Sequence, residues 1–126
     1  MPEIHYSRDH TWVREDGDRV RVGMSEFAQE ELGEIAFVEL PAEGRSVDRG
    51  EPVCSIDSLK STSEIYAPIS GTVAEVNREL ATEEHCGLIN SDPLGKGWLF
   101  ALEPSDRGEL GDLLSSSEYE RYLKEG

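Results

Sequence analysis

The chain has 126 residues, 12 of them basic and 27 acidic, for a net charge of −15. That length suits one domain, and a hydrophobic content of 37% supports a modest core. The charge argues against nucleic acid as a partner, since phosphates would be repelled, and no run approaches the roughly 20 apolar residues of a membrane-spanning helix. The first residues, MPEIH, form neither a basic-then-apolar leader nor an arginine-rich transit segment, so the expected location is cytoplasmic. The acidity either serves solubility or prepares the surface for partners with basic faces.

In chain order, Tyr6, Trp12 and Val13 favour extended backbone, and Asp16-Gly17 is a turn signal. Arg19-Val20-Arg21-Val22 alternates strictly, so Trp12-Val13 and Val20–Val22 are expected to pair as a hairpin. Ser25 is a good N-cap, Glu26 sits in the first turn and Gly33 is a natural stop. The short helix between them would turn Phe27, Ala28 and Leu32 inward. A strand over 35–40 follows, closed by Pro41. Residues 42–52 read as loop, with Ser46-Val47 a short strand.

Residues 53–56 and 64–69 then read as two strand arms, with Ile65, Ala67 and Ile69 on one face at period two. The tip between them, 57–63, is small and polar apart from Leu59 and carries Lys60. Pro68 marks an edge or a strand end, and Gly71 a second turn before a strand over 72–76. Residues 81–93 read as irregular, and 98–102 as the last strand. Leu110, Leu113 and Leu114 form a helical stripe. Ser117 with Glu120 fits a capping box opening a terminal helix that turns Tyr119, Tyr122 and Leu123 inward. The sum is a mainly β fold, a small sandwich or flattened barrel of about seven strands, with a short internal helix and C-terminal helices.

A lysine held on a turn gives an enzyme access to both flanks. Its amine is charged at neutral pH and must be deprotonated before it can be acylated. Val53, Ile56, Lys60, Ser61, Thr62, Ile65, Gly71 and Val73 resemble, in type and spacing, the signature of lipoyl-attachment domains. The resemblance then narrows. His10-Thr11-Trp12, the block from Gly23 to Glu34, Phe37-Val38-Glu39-Leu40-Pro41, Tyr66-Ala67-Pro68-Ile69-Ser70-Gly71 and the segment from Leu88 to Trp98 resemble the glycine cleavage system H-protein family. That family's E-S-V-K-A is Asp57-Ser58-Leu59-Lys60-Ser61 here, and Leu94 stands where its tyrosine is usual.

The resemblance implies a lipoyl-type (barrel-sandwich hybrid) fold in one domain over 1–126, with a lipoyl-binding core at about 19–102 and a helical tail at 105–126. It implies lipoate joined as an amide to Lys60, with Asp57, Ser58, Leu59 and Ser61 read by the lipoate ligase or octanoyl/lipoyl transferase. It implies shuttling of an aminomethyl group from a pyridoxal-phosphate glycine decarboxylase (P protein) to an aminomethyltransferase (T protein), with reoxidation by dihydrolipoamide dehydrogenase (L protein). The chain itself would be a non-catalytic carrier whose cofactor holds the chemistry.

Alternatives stand beside this reading. A paralogous lipoyl carrier or lipoate relay would share the turn. A biotin carrier fits less well, because Leu59 and Ser61 stand where methionines usually flank that lysine. A free-standing enzyme would draw on His10, His85 or Cys86, and the sequence offers no convergent Cys/His/acid set. Cys54 and Cys86 read as structural or incidental: a disulfide is possible by count but disfavoured in a reducing compartment. His85-Cys86 is too small a set for a metal. His10 reads as an edge histidine packed beside an aromatic.

Overall fold

The computed structural model describes residues 4–82 and 85–125. Two antiparallel sheets face each other. The larger has six strands: β1 (Ile4–Tyr6), β2 (Thr11–Asp16), β3 (Arg19–Met24), β5 (Ser46–Val47), β8 (Gly71–Val76) and β9 (Phe100–Pro104), in the order β1-β2-β3-β9-β8-β5. The smaller has three: β4 (Ile35–Glu39), β6 (Pro52–Ser58) and β7 (Thr62–Tyr66), in the order β4-β6-β7. The expected mainly β architecture is present, with more strands than the seven the patterning suggested.

Alternation explains the packing. Val13, Val20, Val22, Val73, Phe100 and Leu102 of the larger sheet and Val38, Val53, Ile56 and Ile65 of the smaller are buried in one cluster. Trp12 is fully buried and donates its indole N–H to the Pro93 carbonyl at 2.8 Å. Ile65, Ala67 and Ile69 are all buried, as their spacing predicts. The β2–β3 hairpin forms as expected, with Asp16 opposite Arg19 and Gly17 at φ 67°.

Helix α1 (Glu26–Leu32) matches its sequence signals closely. Ser25 Oγ accepts from the Ala28 N–H, and Gly33, at φ 85°, donates its N–H to the Gln29 carbonyl. Of the three residues expected inward, Leu32 is buried and Ala28 partly so, but Phe27 is left 37% exposed.

Other expectations are corrected. Gly71 is the first residue of β8, not a turn, and is needed because a Cβ there would collide with the Glu103 carbonyl oxygen on β9. The last strand begins at Phe100 rather than 98, because the Asn77 side-chain amide takes the carbonyls of Lys96 and Trp98 at 2.9 Å each. Residues 88–91 form one helical turn, α2 (Leu88–Ser91), where irregular chain was expected.

The leucine stripe does not make a helix through 110–114. A tight helical turn over Arg107–Asp112 stops at Leu113, and Leu114 instead pairs with Tyr6 on the free edge of β1 through bonds of 2.8 and 2.7 Å. Glycines at 108 and 111 weaken helix there, and β1 offers open backbone partners. The terminal helix α3 (Ser116–Glu125) opens with a capping box two residues before the expected one. Its N-cap is Ser115, which exchanges bonds of 3.2 and 2.9 Å with Glu118.

Candidate functional site

The β6–β7 hairpin extends further than its sequence suggested, so the tip shrinks to Leu59, Lys60 and Ser61. Asp57 and Thr62 are paired in the ladder, and the Thr62 hydroxyl donates to the Asp57 carboxylate at 2.8 Å. Ser58 pins the turn. Its hydroxyl oxygen accepts from the backbone N–H groups of Lys60 (3.2 Å) and Ser61 (3.0 Å), while its own N–H donates to the Ser61 carbonyl at 2.8 Å. A serine here satisfies the turn's N–H groups without bulk. Of the residues singled out from the sequence, Asp57, Ser58, Leu59, Lys60 and Ser61 thus stand together on one hairpin end.

The tip is also fastened to the segment just after α1. The Leu59 N–H donates to the Glu34 carbonyl at 3.0 Å. Lys60 is exposed and lies over the end of that helix: a methyl group on Gly33 would come within 3.3 Å of Lys60 Cε and 3.8 Å of Nζ. Bare glycine therefore leaves room for the lysine stem, and the carbonyl-rich helix end suits an ammonium group. Asn90 on α2 holds this corner, donating to the Gly33 carbonyl at 2.9 Å and accepting from the Ile35 N–H at 3.0 Å. Among the described residues, Lys60 joins no ion pair.

Two clefts open beside the tip. One, of about 310 Å³, runs between α1 and β7 and is lined by Asp9, His10, Phe27, Glu31, Thr62 and Glu64 over a floor that includes Met24 and Ile65. The other, of about 550 Å³, lies on the α2 side and is lined by Gln29, Gly33, Glu34, Cys86 and Asn90.

The remaining candidates do not converge. His10, at φ 65°, sits against Phe27 with ring centroids 4.8 Å apart; the aromatic beside it is therefore not Trp12. Its Nδ1 is 2.7 Å from the Tyr119 hydroxyl, which lies 2.8 Å from Ser25 Oγ. Burial pushes the His10 imidazole below its ordinary range, opposed by the Asp9 and Glu31 carboxylates. His85 is exposed and its Nδ1 lies 3.1 Å from the Thr82 hydroxyl, while Cys86 is buried with its thiol on the Ile35 carbonyl at 3.5 Å. Burial pushes the Cys54 thiol up to about 12, an unreactive setting. No disulfide joins the two cysteines. No His/Cys/Asp/Glu group able to hold a metal occurs among the described residues, and no described helix is long and apolar enough to cross a membrane.

Sequence reasoning read Gly33 only as a helix stop and did not single out Asn90. The signal available was the pairing of a helix-ending glycine with a lysine hairpin, but only the fold brings residues 33, 60 and 90 to one corner.

Comparison with known proteins adds to this geometry. The family model described as glycine cleavage H-protein matches residues 4–126. The chain is similar to the glycine cleavage system H protein of Geobacillus sp. (strain WCH70), 48% identical over 124 residues, covering 98% of this chain and 96% of that one. It is similar to that of Thermus thermophilus, 44% identical over 119 residues, covering 94% and 91%. Among solved structures, the crystal structure of a glycine cleavage system H protein from Mycobacterium marinum superposes with a TM-score of 0.86 at 35% identity, covering 98% of each chain.

Proposed function

Because the chain belongs to the glycine cleavage H-protein family, we propose that it is the lipoyl carrier of a glycine cleavage system and that Lys60 is its attachment residue. The observation that carries this reading is the turn itself. It holds one exposed amine, joined to no ion pair among the described residues, at the end of a pinned two-stranded hairpin.

The residues present fit the group. Amide formation needs Nζ to lose a proton and attack the carboxyl carbon of an activated lipoyl or octanoyl donor, expelling the activating group. An exposed tip lysine meets that need, and bare Gly33 lets its stem lie flat or swing out. When bound, lipoate supplies a redox-active disulfide able to carry an aminomethyl group. The chain's own part is mechanical. Ser58 fixes the tip's backbone, the Leu59–Glu34 bond ties it to the segment just after α1, and Asp57 with Thr62 closes the last rung. Tethering raises the local concentration of the arm's end at each partner. Those partners are the P, T and L proteins, with a lipoate ligase or octanoyl/lipoyl transferase acting first.

The test is glycine–bicarbonate exchange with the P protein, run on wild type and Lys60→Arg after incubation with the ligase. Wild type should support exchange and the folded variant should give none. Exchange by Lys60→Arg would refute the assignment.

A further inference from the structure

The outer face of the smaller sheet carries a feature that the carrier role alone does not require. On β4, Ile35 is opposite Ser58 but Phe37 is opposite Asp57, so β4 spends one extra residue, Ala36, at a bulge. Simple alternation would put Phe37 on the same inner face as buried Ile35. The bulge reverses it: Val38 is buried instead, and Phe37 stands 53% exposed. Bulges re-aim side chains next to functional sites and are features rather than defects.

Phe37 then lies in one outer row with Asp57 and Thr62, and the next row is Glu39, Ser55 and Glu64. Leu59, 71% exposed, stands at the tip of the same hairpin beside Lys60. Phe37 and Leu59 are two of only three large apolar side chains exposed among the described residues. A shallow cleft of about 450 Å³, lined by Glu39, Ser55, Glu64, Leu40, Pro52 and Arg45, continues the face away from the tip, and Arg45 is already paired with Glu51 at 2.6 Å.

Near the tip, charge on this face is one-sided, and Arg45 enters only in the cleft beyond it. No lysine or arginine occurs between positions 22 and 44, and Lys60 is the only one between 50 and 77. None of the ion pairs among the described residues involves α1, β4, β6 or β7. The face therefore offers two apolar knobs in a field of uncompensated carboxylates. It fits a partner with an apolar socket bordered by arginine or lysine.

We propose that this face, centred on Phe37 and Leu59, is the docking surface for the enzyme that acylates Lys60. The proposal rests on the reading of Lys60 as the attachment point. Enzymes that work on the arm's far end can stand off from the body by the arm's length. The acylating enzyme must bring its donor carbonyl into bonding distance of Nζ, so the mouth of its site must cover what surrounds the lysine. The bulge puts a phenylalanine there, and the Glu34 carbonyl, just past α1, fixes the tip.

The experiment uses unmodified full-length protein and a purified lipoate ligase with lipoate and ATP, followed by intact mass. Phe37→Ser and Leu59→Ser should each raise the KM for this protein roughly tenfold, as exposed anchors at a docking centre do, with kcat and thermal midpoint close to wild type. Raised salt should raise the wild-type KM as well. Arg19→Ser, on the larger sheet, is the control for substitution elsewhere on the surface and should leave KM unchanged. Forms of the two variants driven to full lipoylation and then chemically reduced to the dithiol should be reoxidised by dihydrolipoamide dehydrogenase at the wild-type rate. An unchanged KM in both variants would overturn the proposal, as would an equal loss in ligation and reoxidation. Wild-type protein that acquires no lipoyl group at all would instead refute the attachment reading, and the docking face with it.

Discussion

Two phenylalanines show how differently the two sheets are used. Phe100, on β9 of the larger sheet, is fully buried at the centre of the core, while Phe37, on β4 of the smaller, is turned out by a bulge. The same contrast holds for charge. On the larger sheet, Arg19 faces Glu75 and Glu103, and Arg21 holds Asp16 at 2.8 Å. Around the smaller sheet, Glu34, Glu39, Asp57 and Glu64 have no basic partner among the described residues. One sheet satisfies itself, and the other leaves charge and apolar surface for something outside the chain. In a chain of net charge −15, this places the uncompensated acidity around the lysine-bearing turn rather than evenly.

Truncating the self-satisfied side should have the largest effect. Phe100→Ala removes a fully buried ring and should cost about 3–5 kcal/mol of stability, measured by denaturant unfolding. A loss under about 1 kcal/mol would mean that the larger sheet is not the scaffold. Ser25→Ala comes next, removing the α1 cap and one partner of Tyr119, for about 1 kcal/mol. It acts at the joint between the halves, since α1 carries the corner against which Lys60 rests.

A smaller effect depends on pH. The folded state holds His10 below its ordinary range, so the unfolded chain takes up that proton first as pH falls. The stability His10 provides is therefore full above the ordinary histidine value of about 6.5 and is lost as pH falls through it. The stability gap between wild type and His10→Gln should narrow between pH 7.5 and 5.5, and a gap that widens would contradict the lowered proton affinity of this half-buried ring. The smallest effect belongs to Phe37→Ala, within about 0.5 kcal/mol, because that ring is already in solvent. Marked destabilisation there would erase the distinction between the two sheets.

Much of this was legible in the sequence where a local rule decides. Ser25 and Gly33 bracket α1 because cap chemistry is local, and Ile65, Ala67 and Ile69 declare a buried face by period alone. The lysine turn could be read from its small polar residues. What escaped was set by distant partners. Leu114 leaves its helical stripe for the edge of β1, more than a hundred positions away in the chain. Gly71 is required by the backbone of β9. The bulge at Ala36 leaves no mark on a run that reads Ile-Ala-Phe-Val-Glu, so Phe37 looked like one more strand residue. Ser115 with Glu118 and Ser117 with Glu120 satisfy the same capping pattern, and only the end of the Leu114–Tyr6 pairing decides between them.

The central claim is that Lys60 is the anchor of a lipoyl arm. Intact mass of the native protein, followed by peptide mapping, tests it most directly. One lipoyl or octanoyl increment should be found, on the peptide containing Lys60, and should vanish in Lys60→Arg. An increment on another residue, or none in cells that lipoylate their other carriers, would contradict the account.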